Sequence, residues 1–126
     1  MKHEHVVTPH APEPIGPYSQ AIQFGGELYL SGQIPLDPET GEIVAGDVAA
    51  QTERVFANIG AVLCAAGYHF TDVVKTMVFL VDMNDFPAVN AVYEKYFGAC
   101  KPARSTVAVA ALPRGARVEI DCIAKE

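Results

Sequence analysis

The sequence predicts an α+β fold in which two helices pack on one face of a single sheet. Hydrophobic residues recur at three- and four-residue spacing over residues 47–66 and 85–97, as expected for two amphipathic helices. Six other segments have the composition or the flanking turns of strands. The elements follow in the order β-β-β-α-β-α-β-β. Each helix must bury its apolar stripe, which is achieved most simply against one shared sheet.

Length and composition indicate one domain over residues 1–126. Half of the residues are hydrophobic, which is enough for a core at this size. The net charge of −6 argues against a general nucleic-acid binder, which needs a basic face. No apolar run is long enough for a membrane span and the N-terminus lacks a signal-peptide core, so we expect a cytoplasmic protein with no membrane partner. The odd, widely spaced cysteines predict neither a disulfide framework nor a metal knuckle.

The N-terminal part is predicted as a short strand, residues 4–8, followed by a proline-rich connection, residues 9–19. Four prolines make this connection stiff and non-helical. Tyr18 lies in it and could cover a ligand; the alternative is a ring packed on the edge of the core with its hydroxyl in water. His3 and His5 would share one face of the strand. Two histidines lack the further ligands that zinc needs, so we expect no metal.

Residues 20–24 and 27–34 are predicted as a hairpin, because the Gly-Gly pair between them is a strong turn signal. Gly32 interrupts the second of these strands, directly after Ser31. A glycine at such a position marks either a β-bulge or a close approach of the backbone to a ligand.

The central part is predicted to contain the two helices with a buried strand between them. Asp47 suits the N-cap of the first helix, and Gly67 suits the position just beyond its end. The strand at 73–81 is apolar nearly throughout, which predicts that both of its faces are covered. Asn90 lies one residue away from the apolar stripe of the second helix. It is either a polar residue at the edge of that stripe or a hydrogen-bonding contact to a site.

Arg104 and Glu119 are the candidate site residues near the C-terminus. Arg104 heads an apolar, β-like run, where its guanidinium is costly to desolvate unless an anion meets it. The guanidinium fork fits a carboxylate through two hydrogen bonds. Glu119 brings a single carboxylate into the next apolar run. The pair suggests a site for a small acid; the alternative is a structural ion pair or a solvated face.

If residues 104–111 and 117–124 form a simple hairpin about Arg114, the relative positions of Arg104 and Glu119 follow from the strand pairing. Val109 would then lie opposite Glu119, and Arg104 would be roughly 16 Å from that level on the other face of the sheet. One chain would not bring Arg104 and Glu119 together. We therefore expect the two residues to reach a shared pocket across a subunit boundary.

Six motifs occur in order along nearly the whole chain: IGPYSQ at 15–20, SGQI at 31–34, DMNDF at 82–86, VNAVY at 89–93, PARS at 102–105 and VEI at 118–120. In order and spacing they resemble the motifs of the reactive intermediate deaminases of the RidA type, formerly called YjgF. The resemblance implies a chorismate-mutase-like fold and a homotrimer with sites in clefts between subunits. It also implies hydrolysis of 2-imino acids, the tautomers of enamines such as 2-aminoacrylate, to 2-oxo acids and ammonia without a cofactor.

The resemblance assigns roles to individual residues. Arg104 matches the ligand of the substrate carboxylate, Glu119 the group that positions and activates water, and Tyr18 the aromatic wall of the pocket. The remaining contact positions are those of Ser31, Gly32, Asn90 and Thr106.

Two positions depart from the family pattern. Thr106 stands where many bacterial relatives carry cysteine, so activity does not require a thiol there and substrate preference is expected to change. Lys101 stands where phenylalanine is common, which changes the packing or the charge at the mouth of the pocket.

Two alternative functions remain at this point. A non-catalytic protein that binds small carboxylic acids, as a sensor or chaperone, would use Arg104 and Tyr18 but not Glu119. A ribonuclease or translation inhibitor is a label attached to some relatives. The acidic net charge and the lack of a histidine pair near Arg104 in sequence count against it.

Overall fold

The structure, a computed structural model that describes residues 2–126, confirms the predicted α+β architecture and order of elements. Six strands form one sheet in the order β1-β2-β3-β6-β4-β5, and only the β4–β5 pair is parallel. The elements are β1 (Glu4–Val6), β2 (Ala21–Phe24), β3 (Glu27–Gln33), α1 (Val48–Ala65), β4 (Val73–Leu80), α2 (Phe86–Phe97), β5 (Ala103–Ala108) and β6 (Val118–Lys125).

Helix α1 begins and ends where the sequence signals predict. The Asp47 side chain accepts a hydrogen bond from the backbone N–H of Ala50 at 2.9 Å, which satisfies one of the free donors of the first turn. Gly67 follows the helix with a φ of 81°, a conformation that costs glycine little. The ring of Phe56 stacks on Tyr96 at 4.5 Å and meets the edge of Phe97 at 5.5 Å. These aromatic contacts fix the two helices against each other.

The hairpin that the sequence analysis assumed between residues 104–111 and 117–124 is not formed. Strand β5 pairs in parallel with β4, because α2 connects the two strands as a crossover helix that buries its stripe on the sheet. Strand β6 instead lies between β3 and β4 and is antiparallel to both. The long connection of residues 109–117 allows this placement of β6. Strand β4, which is apolar on both faces, therefore has β6 on one side and β5 on the other.

The helices cover one face of the sheet and leave the other face open. Side chains alternate along β4 and β6, so that every second residue is buried under the helices. On the open face, Tyr29 and Val107 are exposed, while Met77, Phe79 and Ile123 are half-buried. An apolar sheet face of this kind is typical of a surface covered by another molecule. Within residues 2–126, neither helix is both long enough and apolar enough to cross a bilayer.

Candidate active site

Arg104 is held on a platform supplied by helix α2. Its Nη1 donates a hydrogen bond to Asn90 Oδ1 at 2.7 Å. Its Cζ lies 4.7 Å from the ring centre of Tyr93 and 5.3 Å from that of Phe86. The Tyr93 hydroxyl and Thr76 Oγ1 are hydrogen-bonded at 2.8 Å in the core, so the ring beneath the guanidinium is itself fixed. Among the described residues, Arg104 forms no ion pair.

A cavity of about 430 Å³ opens beside Arg104. Thr106 lies on the same face of β5, two residues further on. Its Oγ1 is buried and has no hydrogen-bond partner among residues 2–126, which is rare for a buried hydroxyl. A fixed cation and an unpaired hydroxyl therefore lie two residues apart on one face of β5, although Thr106 does not line the cavity. The cavity is lined by Asn90, Tyr93, Glu94, Phe97, Gly98, Lys101, Pro102 and Arg104.

Glu119 lies on the open face of the sheet in the middle of β6. Burial raises the pKa of its carboxyl above the usual value of 4.5, and the nearby charge of Asp121 raises it further. Asp121 follows two residues later on the same face, and burial raises its pKa as well. A carboxylate whose pKa is raised toward neutrality is a stronger base than an ordinary glutamate, which suits proton transfer.

Gly32 forms a β-bulge beside Glu119, as one of the two interpretations of the sequence predicts. Strand β3 has one more residue than β6 between the pairs Leu30↔Cys122 and Gln33↔Ile120. A Cβ atom on Gly32 would overlap Glu119 Oε2 and lie only 2.9 Å from Cδ. The close approach is therefore to the Glu119 carboxylate, and glycine is required to leave room for it.

We expect Gly32→Ala to impair any reaction that uses the Glu119 carboxylate much more than it lowers the stability of the fold. The added methyl group would displace the end of the flexible Glu119 side chain rather than the backbone. A shift of about 1 Å at a catalytic group costs on the order of 100-fold in rate. Steady-state kinetics and thermal unfolding would measure the two effects. Wild-type kcat/KM in the variant would contradict the requirement for glycine.

Tyr18 and the proline-rich connection form the other wall beside Glu119. The Tyr18 side chain is 54% exposed, so its ring is not packed into the core of the chain. Ser31 Oγ donates to the Ser19 carbonyl at 2.6 Å and ties this wall to the bulge. The resulting cavity of about 520 Å³ is lined by Pro12, Glu13, Ile15, Tyr18, Gln20, Ser31, Gly32, Gln33, Ile34, Leu36, Pro113, Arg114 and Glu119.

Gln20 holds this wall in place, a role that the sequence analysis missed. Its buried carboxamide accepts from the Thr8 N–H at 2.7 Å. It donates to the carbonyls of Thr8, Ala11 and Pro12 at 3.0, 3.3 and 3.0 Å. One side chain therefore satisfies backbone groups that the prolines leave without strand partners. No sequence pattern distinguishes such a glutamine from a surface one.

The two charged residues lie on opposite faces of the sheet. Arg104 is level with Thr76 on β4, and Glu119 is level with Phe79. Three residues and two strand spacings separate them, which places their Cα atoms about 14 Å apart. The structure brings Tyr18, Ser31 and Gly32 to Glu119, and Asn90 to Arg104, but it does not join the two groups. The expectation that one chain does not unite Arg104 with Glu119 is correct, although the hairpin from which we argued it is not.

His3 and His5 share the open face of the sheet at β1, as predicted from their spacing. Their ring centres are 5.7 Å apart, and His5 Nδ1 lies 2.5 Å from Ser19 Oγ. Across residues 2–126, no three His, Cys, Asp or Glu side chains converge as metal ligands.

The fold and the two groups define a class of small α+β protein with an arginine that forms no salt bridge among the described residues on one face of its sheet and a half-buried glutamate on the other. The chain belongs to the YjgF/RidA family: the sequence profile described as Endoribonuclease L-PSP matches residues 8–126.

Similar proteins support this assignment over the full length. A RutC family protein of Pyrococcus horikoshii is 55% identical, covering 96% of each chain. A mouse protein named 2-iminobutanoate/2-iminopropanoate deaminase is 51% identical, covering 94% of this chain and 88% of its own. A Yersinia pestis protein of the conserved Rid family matches in structure with a TM-score of 0.96 at 49% identity, covering 99% of this chain and 100% of its own. Escherichia coli TdcF with bound serine matches with a TM-score of 0.92 at 41% identity, covering 98% of each chain.

Proposed function

We propose that the protein is a 2-iminobutanoate/2-iminopropanoate deaminase that hydrolyses 2-imino acids and their enamine tautomers, such as 2-aminoacrylate, to 2-oxo acids and ammonia. The observation that carries the proposal is Arg104, a guanidinium fixed on an aromatic platform without a carboxylate partner among the described residues. A small carboxylic acid is the ligand that such a fork fits best. The deaminase name of the mouse relative and the serine bound to TdcF support a substrate with an amino-acid backbone.

The proposed reaction needs a bound carboxylate, a positioned water and two proton transfers. Arg104 binds the substrate carboxylate through two parallel hydrogen bonds. Glu119 takes a proton from water, whose oxygen bonds to the imine carbon while the C=N electron pair moves to nitrogen. Glu119 returns that proton to nitrogen, which gives a tetrahedral intermediate with one hydroxyl and one amino group. Glu119 then takes the hydroxyl proton as the C=O bond forms and passes it to nitrogen as the C–N bond breaks, so that the products are the 2-oxo acid and ammonia.

The other predicted contact residues complete this site. Tyr18 and Ser31 line the space in front of Glu119, and the backbone at Gly32 borders the same space. Asn90 fixes the guanidinium of Arg104. Thr106 lies two residues from Arg104 on the same face of β5, which makes this position a candidate determinant of substrate preference.

The site requires two copies of the chain, and we propose a homotrimer. Arg104 and Glu119 lie on opposite faces of the sheet, so that the Arg104 group of one subunit must meet the Glu119 group of the next. The open face, with Tyr29 and Val107 exposed, supplies apolar area for this contact. A closed ring of three copies would form three equivalent sites.

Ammonia release from enzymatically generated 2-aminoacrylate tests the proposed activity. We expect the protein to accelerate formation of ammonia and pyruvate above the spontaneous rate. Binding of 2-oxo acids without turnover would instead favour the non-catalytic acid binder. Cleavage of RNA by the purified protein, lost in Arg104→Ala, would favour the ribonuclease that the family description names; the net charge of −6 argues against it.

A further inference from the structure

Lys101 adds a second cation to the cavity of Arg104. It occupies the turn between α2 and β5, and its backbone N–H donates to the Phe97 carbonyl at 2.8 Å. Its φ of 47° is in the left-handed region, which is costly for a residue with a Cβ atom and is found preferentially at functional sites. The cavity thus contains two cationic side chains and one acidic residue, Glu94.

Lys101 forms no salt bridge in the part of the chain that the structure describes. Among residues 2–126 the salt bridges are Lys95–Glu53 and Arg117–Asp85, and Lys101 takes part in neither. Glu94 lines the same cavity, but it is exposed and forms no salt bridge with Lys101. A second anionic group entering beside Arg104 would therefore meet an available ammonium group.

We propose that Lys101 is a specificity-determining residue that binds the side-chain carboxylate of 2-imino dicarboxylic acids, such as 2-iminosuccinate and 2-iminoglutarate. This inference rests on the proposed deaminase function, in which Arg104 binds the other carboxylate. The reaction remains hydrolysis: water adds to the C=N carbon, the C–N bond breaks, and the products are a 2-oxo dicarboxylate and ammonia.

The spacing and chemistry of the cavity suit a short diacid. Lys101 and Arg104 are three residues apart, so their Cα atoms are at most about 10 Å apart, within the combined reach of two long side chains. Tyr93 and Phe97 line the same cavity and offer an apolar surface for the methylene groups between the two carboxylates. A lysine ammonium is a flexible point charge without the fixed geometry of a guanidinium, so it can accept diacids of more than one length.

The test compares kcat/KM for 2-iminosuccinate with that for 2-iminobutanoate, each generated in the assay by an amino-acid oxidase. For Lys101→Gln we expect kcat/KM for the diacid to fall about tenfold, mainly through KM, because one charge-assisted contact is lost. The value for 2-iminobutanoate should change less than about twofold, and Lys101→Arg should retain the diacid preference. Since Lys101 is exposed, added salt should reduce the difference between the two substrates.

Controls separate this inference from the proposed function. Lys125→Gln, which removes another lysine at the far end of β6, should leave both substrates unaffected. An equal loss on both substrates in Lys101→Gln, or no loss on the diacid, would overturn the role of Lys101. If neither imine is hydrolysed, the deaminase proposal fails. The role of Lys101 is then decided by calorimetry with 2-oxoglutarate and 2-oxobutanoate. In Lys101→Gln the affinity for 2-oxoglutarate should fall, and the affinity for 2-oxobutanoate should not change.

Discussion

Replacing Glu119 with Gln is expected to remove most of the deaminase activity while leaving the protein folded. Glutamine keeps the size of the side chain beside Gly32 but cannot take a proton from water. Loss of a general base typically costs about 100- to 10,000-fold in rate, so kcat should fall by that range. Rates of 2-oxo acid formation from 2-iminobutanoate would measure the effect. A kcat within a few-fold of wild type would exclude Glu119 as the base.

The pH profile provides a second measurement of the same group. Burial, and secondarily the charge of Asp121, raises the pKa of Glu119 above 4.5. The base must be deprotonated, so wild-type kcat/KM should fall as the pH drops through this raised pKa. This acid limb of the pH profile should be absent from the residual activity of Glu119→Gln. In Asp121→Asn the limb should move to lower pH, because one source of the raised pKa is removed. An acid limb that is unchanged in Glu119→Gln would assign it to another group.

The contribution of Glu119 to the free energy of unfolding should depend on pH in the opposite direction to activity. The folded state binds the Glu119 proton more tightly than the unfolded chain, because its pKa is raised on folding. Stability from this group is therefore greatest at low pH and is lost as the pH rises through the raised pKa. At neutral pH the buried anion destabilises the fold, and Glu119→Gln removes that cost. Its Tm at pH 7 should equal or exceed that of the wild type.

Replacing Arg104 with Ala is expected to lower kcat/KM by at least about 100-fold, since two charge-assisted hydrogen bonds to the substrate carboxylate are lost. Arg104→Lys is the matched control, because lysine keeps the charge but not the fork. We expect it to recover only part of the loss. Full activity in Arg104→Lys would mean that charge alone is required. Full activity in Arg104→Ala would exclude Arg104 as the carboxylate ligand.

Mixing the two inactive variants tests whether the site lies between subunits. In mixed trimers, a subunit of Glu119→Gln contributes an intact Arg104, and its Arg104→Ala neighbour contributes an intact Glu119. Random assembly of equal amounts in a closed ring should regenerate about a quarter of the wild-type sites. Coexpression followed by purification and assay would measure the recovery. No recovery in trimers shown to be mixed would contradict the shared site.

Local signals in the sequence were sufficient to predict the helices and the first hairpin. Asp47, Gly67 and the Gly25–Gly26 pair act through hydrogen bonds and φ angles within a few residues, so they are readable without the fold. The partner of β5 depended instead on long-range packing. The short-range pattern around Arg114 was compatible with a hairpin, but the crossover formed by α2 places β5 beside β4.

The candidate site residues that carry a charge are the most visible ones in the sequence. Arg104 and Glu119 each interrupt an apolar run, and this contrast is visible in the sequence. The ring of Tyr93 under Arg104 has no distinctive signal in the sequence, because an aromatic residue at helical spacing looks the same whether or not it also contacts a site. Asp121 was missed, although it alternates with Glu119 along the same strand and could have been found from that spacing.

The position of β6 has a consequence for biosynthesis. It is the last of the six strands to leave the ribosome, yet it bridges β3 and β4 in the middle of the sheet. Until residues 118–125 emerge, β1–β3 and β4–β5 have no backbone pairing with each other, and both present open edges to other nascent chains. Completion of the sheet must then wait for residues 118–125 and proceed through contacts of high sequence separation, which form slowly.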